Sequence, residues 1–122
     1  MNRDAVLQQC GAFPHATAET PFGPGELVFK VGGKIFAMVS MEDDPGRVNV
    51  KGDPEVIEDS RRMWPRSVTT APYMSKRHWN QVFLDGSVPD AEIAGMIRRS
   101  YDIVFAALPR GVRAAFDGDP NH

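Results

Sequence analysis

Alternation and helical spacing of apolar residues divide the chain into short strands and helices. The segments Leu27–Val31 and Lys34–Val39 are rich in β-branched and aromatic residues and flank Gly32-Gly33. This pattern predicts a β-hairpin closed by a two-residue turn, because glycine accepts the positive φ that such a turn requires. In the simplest register Phe29 pairs with Phe36, and both faces of the hairpin carry apolar side chains. The two strands are therefore expected to be central in a sheet with at least one face covered by helix.

Four further segments have the pattern of strands. An edge strand is expected at 17–20, and residues 47–51 alternate in polarity as a half-exposed strand does. The stretch 67–71 is rich in β-branched and small residues. Residues 78–84 form the last predicted strand, with Trp79 on one side of the sheet and its neighbours on the other.

Helical spacing of apolar residues predicts two helices in the first half of the chain. The first covers residues 3–10, with Asn2 as its N-cap and Gly11 at its end. The second opens at Asp53-Pro54, because aspartate caps helices well and proline suits the first helical position. The predicted inner stripe of the second helix consists of Val56, Ile57, Ser60 and Met63.

The longest predicted helix begins at Pro89-Asp90, where Ser87 and Asp90 have the spacing of a capping box. Its continuous apolar stripe contains Ile93, Met96, Ile97, Tyr101, Val104 and Leu108. Pro109 and Gly111 are expected to end this helix. Residues 113–122 show no periodicity, so they are expected to form a flexible tail after a single domain of residues 1–112.

The predicted order of elements indicates the fold class. A helix, three or four strands, a second helix, two strands and a third helix follow one another along the chain. The hairpin requires antiparallel pairing, so we expect an α+β fold in which helices pack on one face of an antiparallel sheet.

Composition agrees with one ordinary globular domain. The chain has 122 residues, of which 42% are hydrophobic and 25% charged, with a formal net charge of −2. No apolar stretch is long enough to cross a membrane, and no secretory signal is recognisable. The single cysteine, Cys10, excludes an internal disulfide, so a cytoplasmic location and no membrane partner are expected.

Motifs for catalysis, cofactors or metals are not recognisable. The histidines are far apart in sequence, and neither a phosphate-binding glycine-rich loop nor a nucleophile elbow is present. Cys10 lies on the apolar stripe of the first helix, which favours core packing over a nucleophilic role with His15. The acidic segment 42–44 is more typical of a solvated turn than of a cation site. We therefore expect no catalytic residue, no cofactor and no enzyme activity.

Positive charge is unevenly distributed along the chain. Residues 60–84 contain no Asp or Glu and carry a charge of +5, so the rest of the chain sums to −7. The cations are Arg61, Arg62, Arg66, Lys76 and Arg77, with aromatic and hydroxyl side chains between them. Such groups bind phosphates and stack on bases. A structural alternative exists for the arginines at the end of the second helix, where cations also stabilise the helix dipole.

The order of several segments resembles the MmcQ/YjbR family of small bacterial proteins over about residues 3–108. The segments are Phe29-Lys30-Val31, Lys34-Ile35-Phe36-Ala37, Val50–Glu55, Pro72–Trp79 and Ser100-Tyr101-Asp102. The most specific piece is Tyr-Met-x-Lys-x-His-Trp at 73–79, where Ser75 replaces the asparagine that the family often has. The resemblance implies a YjbR-type fold with a frataxin-like arrangement, and it implies DNA binding without a catalytic residue or cofactor. It singles out Lys51, Pro72, Tyr73, Lys76, His78 and Trp79.

The leading hypothesis is a small cytoplasmic DNA-binding protein that uses a basic face of residues 60–79 together with Lys51. Its expected contact residues are Lys51, Arg61, Arg62, Arg66, Tyr73, Lys76, Arg77, His78 and Trp79. Two alternatives stay open at this point. One is a protein-interaction module that binds no nucleic acid, and the other is a small-ligand pocket around Tyr73, His78 and Trp79.

Overall fold

Six strands and four helices are present in residues 1–117, which are the residues that the computed structural model describes. The strands are β1 Thr17–Glu19, β2 Glu26–Val31, β3 Lys34–Ser40, β4 Arg47–Lys51, β5 Val68–Thr70 and β6 Trp79–Phe83. The helices are α1 Arg3–Ala12, α2 Pro54–Met63, α3 Asp90–Ala106 and α4 Arg110–Asp117. None of the helices in this part of the chain combines the length and the apolar composition needed to cross a bilayer.

The strands form one sheet in the order β1-β2-β3-β4-β6-β5, and every pairing is antiparallel. The last strand in sequence, β6, lies between β4 and β5. The chain therefore runs from β4 through α2 to β5, which is not the neighbour of β4 in the sheet. β6, which comes later in the sequence, lies between the two. The predicted α+β fold with an antiparallel sheet is confirmed.

The helices cover one face of the sheet. Val48 and Val50 of β4 point to this face and belong to the same buried cluster as Ile97 of α3. Asn80 of β6 pairs with Val50 and donates to the backbone carbonyl of Ile57 in α2. α2 and α3 therefore lie on the same side, as predicted, and the opposite face of the sheet carries no helix within residues 1–117. We call that opposite face the open face.

The hairpin turn forms as predicted, but its register changes away from the turn. Gly32 and Gly33 both have positive φ, and Val31 pairs with Lys34. A β-bulge between Phe29 and Lys30 then shifts the pairing, so Phe29 lies opposite Ala37 and the predicted pair with Phe36 was wrong. The irregularity lets two successive residues, Phe36 and Ala37, both reach the core, where each is fully buried.

The predicted inner stripe of α2 was too wide. Ile57 and Ser60 are buried, whereas Val56 is 37% exposed and Met63 is 66% exposed. α2 packs mainly against β5 and β6, at one edge of the sheet. A helix at the edge of a sheet meets too little apolar surface to bury the about three or four residues per two turns that a central helix buries.

The predicted capping box at the start of α3 does not form. Pro89 is the N-cap residue, and it provides no side-chain cap. Ser87 instead donates its backbone N–H to Asp85 Oδ1 at 2.9 Å, and the Ser67 hydroxyl donates to Asp85 Oδ2 at 2.8 Å. These hydrogen bonds stabilise the carboxylate and lower the pKa of Asp85.

The long helix agrees with the sequence-based expectation, whereas the segment after it does not. All six residues of the predicted α3 stripe are buried. The expected tail, however, was wrong for residues 113–117, because they belong to α4. The ring of Phe116 stacks on His15 at a centroid distance of 4.1 Å, so packing continues past the predicted domain end at residue 112. The remainder of the expected tail, 118–122, lies outside the described residues.

Ser100 joins α3 to the sheet through two hydrogen bonds. Its hydroxyl donates to the backbone carbonyl of Phe36 at 2.5 Å and accepts from the backbone N–H of Lys51 at 2.8 Å. Replacing Ser100 by Ala should lower the free energy of unfolding by about 2 kcal/mol, since a buried carbonyl and a backbone N–H would lose their partner. Urea unfolding followed by circular dichroism would measure this decrease. The exposed Ser75→Ala control should change stability by less than about 0.5 kcal/mol, and equal effects of the two would contradict the prediction.

Candidate functional site

Arg61 occupies the interior side of α2 rather than the surface. Its Nε donates to Asn80 Oδ1 at 2.7 Å, and its Nη2 donates to the backbone carbonyls of Lys76 at 2.5 Å and Trp79 at 3.0 Å. The guanidinium therefore ties α2 to the β5–β6 connection and to the start of β6. This is a correction to the sequence-based expectation, because the donors that were assigned to phosphate already bind protein acceptors.

The next residue, Arg62, is exposed but has carboxylate neighbours. Its Nη2 lies 3.3 Å from Glu58 and 3.5 Å from Asp59 on the same helix. Pairs of this kind contribute little to stability, but they offset the positive charge locally. Arg62 is thus a weaker candidate for a phosphate contact than its charge suggests.

Lys76 and Arg77 lie in the turn that precedes β6, and both are exposed. Neither forms an ion pair with another residue of the described range 1–117. The backbone carbonyl of His78 accepts from the N–H of Gly52 at 2.8 Å, which fastens this turn to the end of β4. Lys51 of β4 pairs directly with Trp79 of β6. The structure therefore places Lys51 at the same end of the sheet as the turn that carries Lys76 and Arg77.

Arg66 is separated from that group by the length of a strand. It precedes Ser67, whose carbonyl accepts from the N–H of Phe83 at the far end of β6. Lys76 and Arg77 lie where β6 begins. The predicted continuous basic face of residues 60–79 is therefore divided, and Arg66 is not part of the same cluster.

Two lysines that the sequence analysis did not select complete the cluster. Lys30 and Lys34 come from the β2–β3 hairpin, and together with Lys51 they line a surface depression of about 520 Å³. Lys30 also pairs with Glu19 on β1, which offsets its charge in part. The strand order could have shown this grouping, because a hairpin turn lies beside the end of the next antiparallel strand. We call the group Lys30, Lys34, Lys51, Lys76 and Arg77 the basic end.

The opposite end of the sheet is acidic. The β3–β4 turn carries Glu42, Asp43 and Asp44, and Asp85 follows β6. Arg47 pairs with Asp43 there. Arg3 and Arg66 also lie at this end, so the separation of charge along the strand direction is only partial.

The two aromatic candidates beside the basic end have different surroundings. Trp79 is only 7% exposed and is packed, although part of it lines the lysine depression. Tyr73 is fully exposed and has a φ of 64°. A bulky residue held in the left-handed region without burying its ring is uncommon, and such strain tends to occur at functional positions. His78 is half-buried and lines neither of the depressions described here.

A second depression, of about 750 Å³, lies on the open face. Its floor is a row of side chains in register across three strands, because Met38 pairs with Asn49 and Asn49 pairs with Gln81. Phe22 from the β1–β2 loop and Tyr73 from the β5–β6 loop stand on its rim, and Phe22 is 68% exposed. This depression and the lysine depression share Met74 as a wall residue.

Nucleophilic and metal-binding chemistry find no support in the described residues. Cys10 is fully buried, and burial raises the pKa of its thiol to about 12. Its predicted role in core packing is confirmed, because it belongs to the buried cluster of the core. No group of three His, Cys, Asp or Glu side chains within residues 1–117 could hold a metal ion.

Fold and site together define a class: a small α+β protein with helices on one sheet face, an open opposite face and a basic end. The family model described as YjbR matches residues 11–103, and the chain belongs to the YjbR family. It is 32% identical over 113 residues to the uncharacterised protein YjbR of Escherichia coli K12, covering 93% of this chain and 95% of that protein. It is 32% identical over 90 residues to the uncharacterised protein YbdF of Escherichia coli O157:H7, covering 74% and 73%.

Solved structures show the same fold. A Deinococcus radiodurans protein, DR2400, described as containing a DUF419 domain, superposes with a TM-score of 0.89 at 29% identity, covering 99% of this chain and 94% of that one. A Pseudomonas syringae protein superposes with a TM-score of 0.72 at 22% identity, covering 85% and 99%. The second likeness concerns the fold alone.

Proposed function

We propose that this protein binds DNA through its basic end. The observation that carries the proposal is the convergence of Lys30, Lys34 and Lys51 on one depression, with Lys76 and Arg77 in the adjoining turn. These cations come from three separate parts of the sequence, yet the sheet places them at one end. Ammonium and guanidinium groups gathered in this way bind successive phosphates and release counterions from the nucleic acid.

The net charge of −2 shapes how such binding would behave. A polyanion gains attraction only at the basic end, so affinity is modest and depends strongly on salt. Binding is expected to be oriented, with the basic end towards the DNA. The proposal includes a cytoplasmic location and a binding role without catalysis, which a single buried thiol in a reducing compartment fits.

A salt titration with a charge-reversal variant tests this proposal. The double variant Lys76→Glu and Arg77→Glu should weaken binding to duplex and single-stranded DNA about tenfold at low salt. The slope of log affinity against log salt should fall in magnitude by about one for each phosphate that the variant no longer binds. Fluorescence anisotropy with labelled oligonucleotides at several salt concentrations measures both quantities.

The matched control is the double variant Arg62→Glu and Arg66→Glu, which changes the net charge by the same amount outside the basic end. It should keep the affinity and the salt slope of the wild type. Equal weakening by both double variants would show that only net charge matters, and the basic end would lose its assigned role. If the wild type has no measurable affinity for either form of DNA at low salt, a protein-interaction module without nucleic acid replaces this proposal.

A further inference from the structure

The floor of the depression on the open face is polar although it is buried. Asn49 is 8% exposed and Gln81 is 7% exposed, and they lie directly opposite each other on β4 and β6. Gln81 Oε1 accepts from Arg47 Nη1 at 3.3 Å. The Asn49 side chain makes no hydrogen bond to any residue within 1–117. Both side chains line the depression, so the free amide of Asn49 and the NH2 group of Gln81 can hydrogen-bond to a ligand bound there.

The rim of the depression carries two aromatic rings, and Glu26 at the start of β2 also lines the depression. Phe22 and Tyr73 stand on separate loops and expose large rings, and Met74 lies between this depression and the lysines of the basic end. Exposed aromatic side chains of this kind carry a cost in water that contact with a flat apolar surface removes. A ligand in this depression therefore meets hydrogen-bonding groups below it and ring faces at its edges.

The chemistry of the floor and the rim selects a class of ligand. A carboxamide presents a donor and an acceptor side by side, and this arrangement matches the edge of a nucleobase. Aromatic side chains at the rim can stack on the faces of the same base. The lysines beyond Met74 are placed for the phosphates attached to it.

We propose that the depression on the open face accepts an unstacked base of single-stranded DNA whose phosphates lie along the basic end. This inference rests on the proposed function and adds to it, because it names the form of DNA that is bound. Bases in a duplex are paired and stacked, so their edges do not reach the floor of a depression in a sheet. Single strands have bases free to turn outwards.

An abasic oligonucleotide separates the base contact from the phosphate contact. The wild type should bind a single strand of about ten nucleotides roughly tenfold more tightly than an abasic strand of equal length. Gln81→Met keeps the length of the side chain and removes its amide, so it should abolish this preference and leave the affinity for the abasic strand unchanged. The matched control is Gln8→Met on the exposed surface of α1, which should keep the full preference.

Tyr73→Gly provides a second test that does not depend on a buried position. It relieves a left-handed backbone conformation and removes an exposed ring, so the thermal midpoint should stay constant or rise. The preference for the base-containing strand should nevertheless fall about tenfold, because the stacking surface is gone. A stable variant that binds less well excludes misfolding as the cause.

The outcomes for the two strands distinguish the two proposals. If the wild type binds the abasic and base-containing strands equally, the base site is wrong while DNA binding through phosphates remains. If it binds neither strand at low salt, the proposed function itself fails. If a free mononucleotide competes as effectively as the oligonucleotide, the depression does bind a base. Its ligand is then a free nucleotide and not single-stranded DNA.

Discussion

Replacing Arg61 by Ala should lower the free energy of unfolding by about 3 kcal/mol, because one guanidinium donates to three acceptors, two of them in part-buried hydrogen bonds. Asn80, one of those acceptors, is only 2% exposed. After the substitution its Oδ1 atom and the carbonyls of Lys76 and Trp79 would be deprived of charge-assisted hydrogen bonds. Unpaired polar groups in a buried position cost more than the net gain of the bonds themselves.

Two variants sharpen this prediction. Arg61→Lys keeps the positive charge but lacks the planar fork, so it should recover only a small part of the missing stability. Arg62→Ala, on the adjacent residue, removes an exposed charge and should change stability by less than about 0.5 kcal/mol. Urea unfolding of the three variants measures the difference. Equal decreases at both positions, or full recovery by lysine, would show that Arg61 acts through charge and not through its hydrogen bonds.

Gly32→Ala is expected to destabilise the protein by about 2–3 kcal/mol. Gly32 has a φ of 57°, where a side chain costs about 1 kcal/mol or more. A Cβ atom at this position would also lie 2.7 Å from Leu108 Cδ1 and 3.2 Å from Val112 Cγ1. Leu108 is itself buried, so it has little room to move away.

The neighbouring glycine isolates the packing part of this effect. Gly33 has a φ of 80°, but a Cβ atom there would have no neighbour within 4 Å. Gly33→Ala should therefore cost only about 1 kcal/mol, from the backbone conformation alone. Thermal and urea unfolding of both variants gives the comparison. Equal destabilisation by Gly32→Ala and Gly33→Ala would mean that Leu108 moves aside without a cost in stability. Close packing of the hairpin turn against Leu108 would then not contribute to stability.

The close packing at Gly32 also bears on the basic end. Lys34 begins the strand that follows this turn, and the turn packs against Leu108 in the α3–α4 connection and Val112 in α4. A shift of the turn would therefore move Lys34 relative to Lys51. We expect Gly32→Ala, but not Gly33→Ala, to weaken DNA binding as well as stability.

Several features of the fold follow from chemistry that acts over a few residues. The paired glycines demand positive φ, the spacing of apolar residues between Ile93 and Leu108 fits only a helix, and the alternation in 47–51 fits only a strand. For this reason the elements, their order and the α+β class could be predicted. α4 was missed because its apolar stripe is short, with Val112 and Phe116 one turn apart just after a proline and a glycine.

Other features depend on contacts between distant parts of the chain. The bulge beside Phe29 lets two successive residues of the facing strand be buried, which the local alternation of residues does not predict. Arg61 reaches its acceptors only when α2 packs against β6. A charged side chain looks the same in the sequence whether its donors face solvent or carbonyl groups. Sequence reasoning therefore grouped Arg61 and Arg66 with Lys76, while the structure uses the Arg61 guanidinium to bind backbone within the fold and places Arg66 at the far end of β6.

Local patterns along the chain thus establish which segments are strands and helices, because backbone conformation responds to neighbouring residues. Which residues come together at the site depends on the order of the strands in the sheet. Lys30, Lys34 and Lys51 meet because antiparallel order places a hairpin turn beside the end of β4, and Asn49 meets Gln81 because β6 inserts next to that strand. Strand order is decided by long-range burial of apolar surface, which no short segment contains.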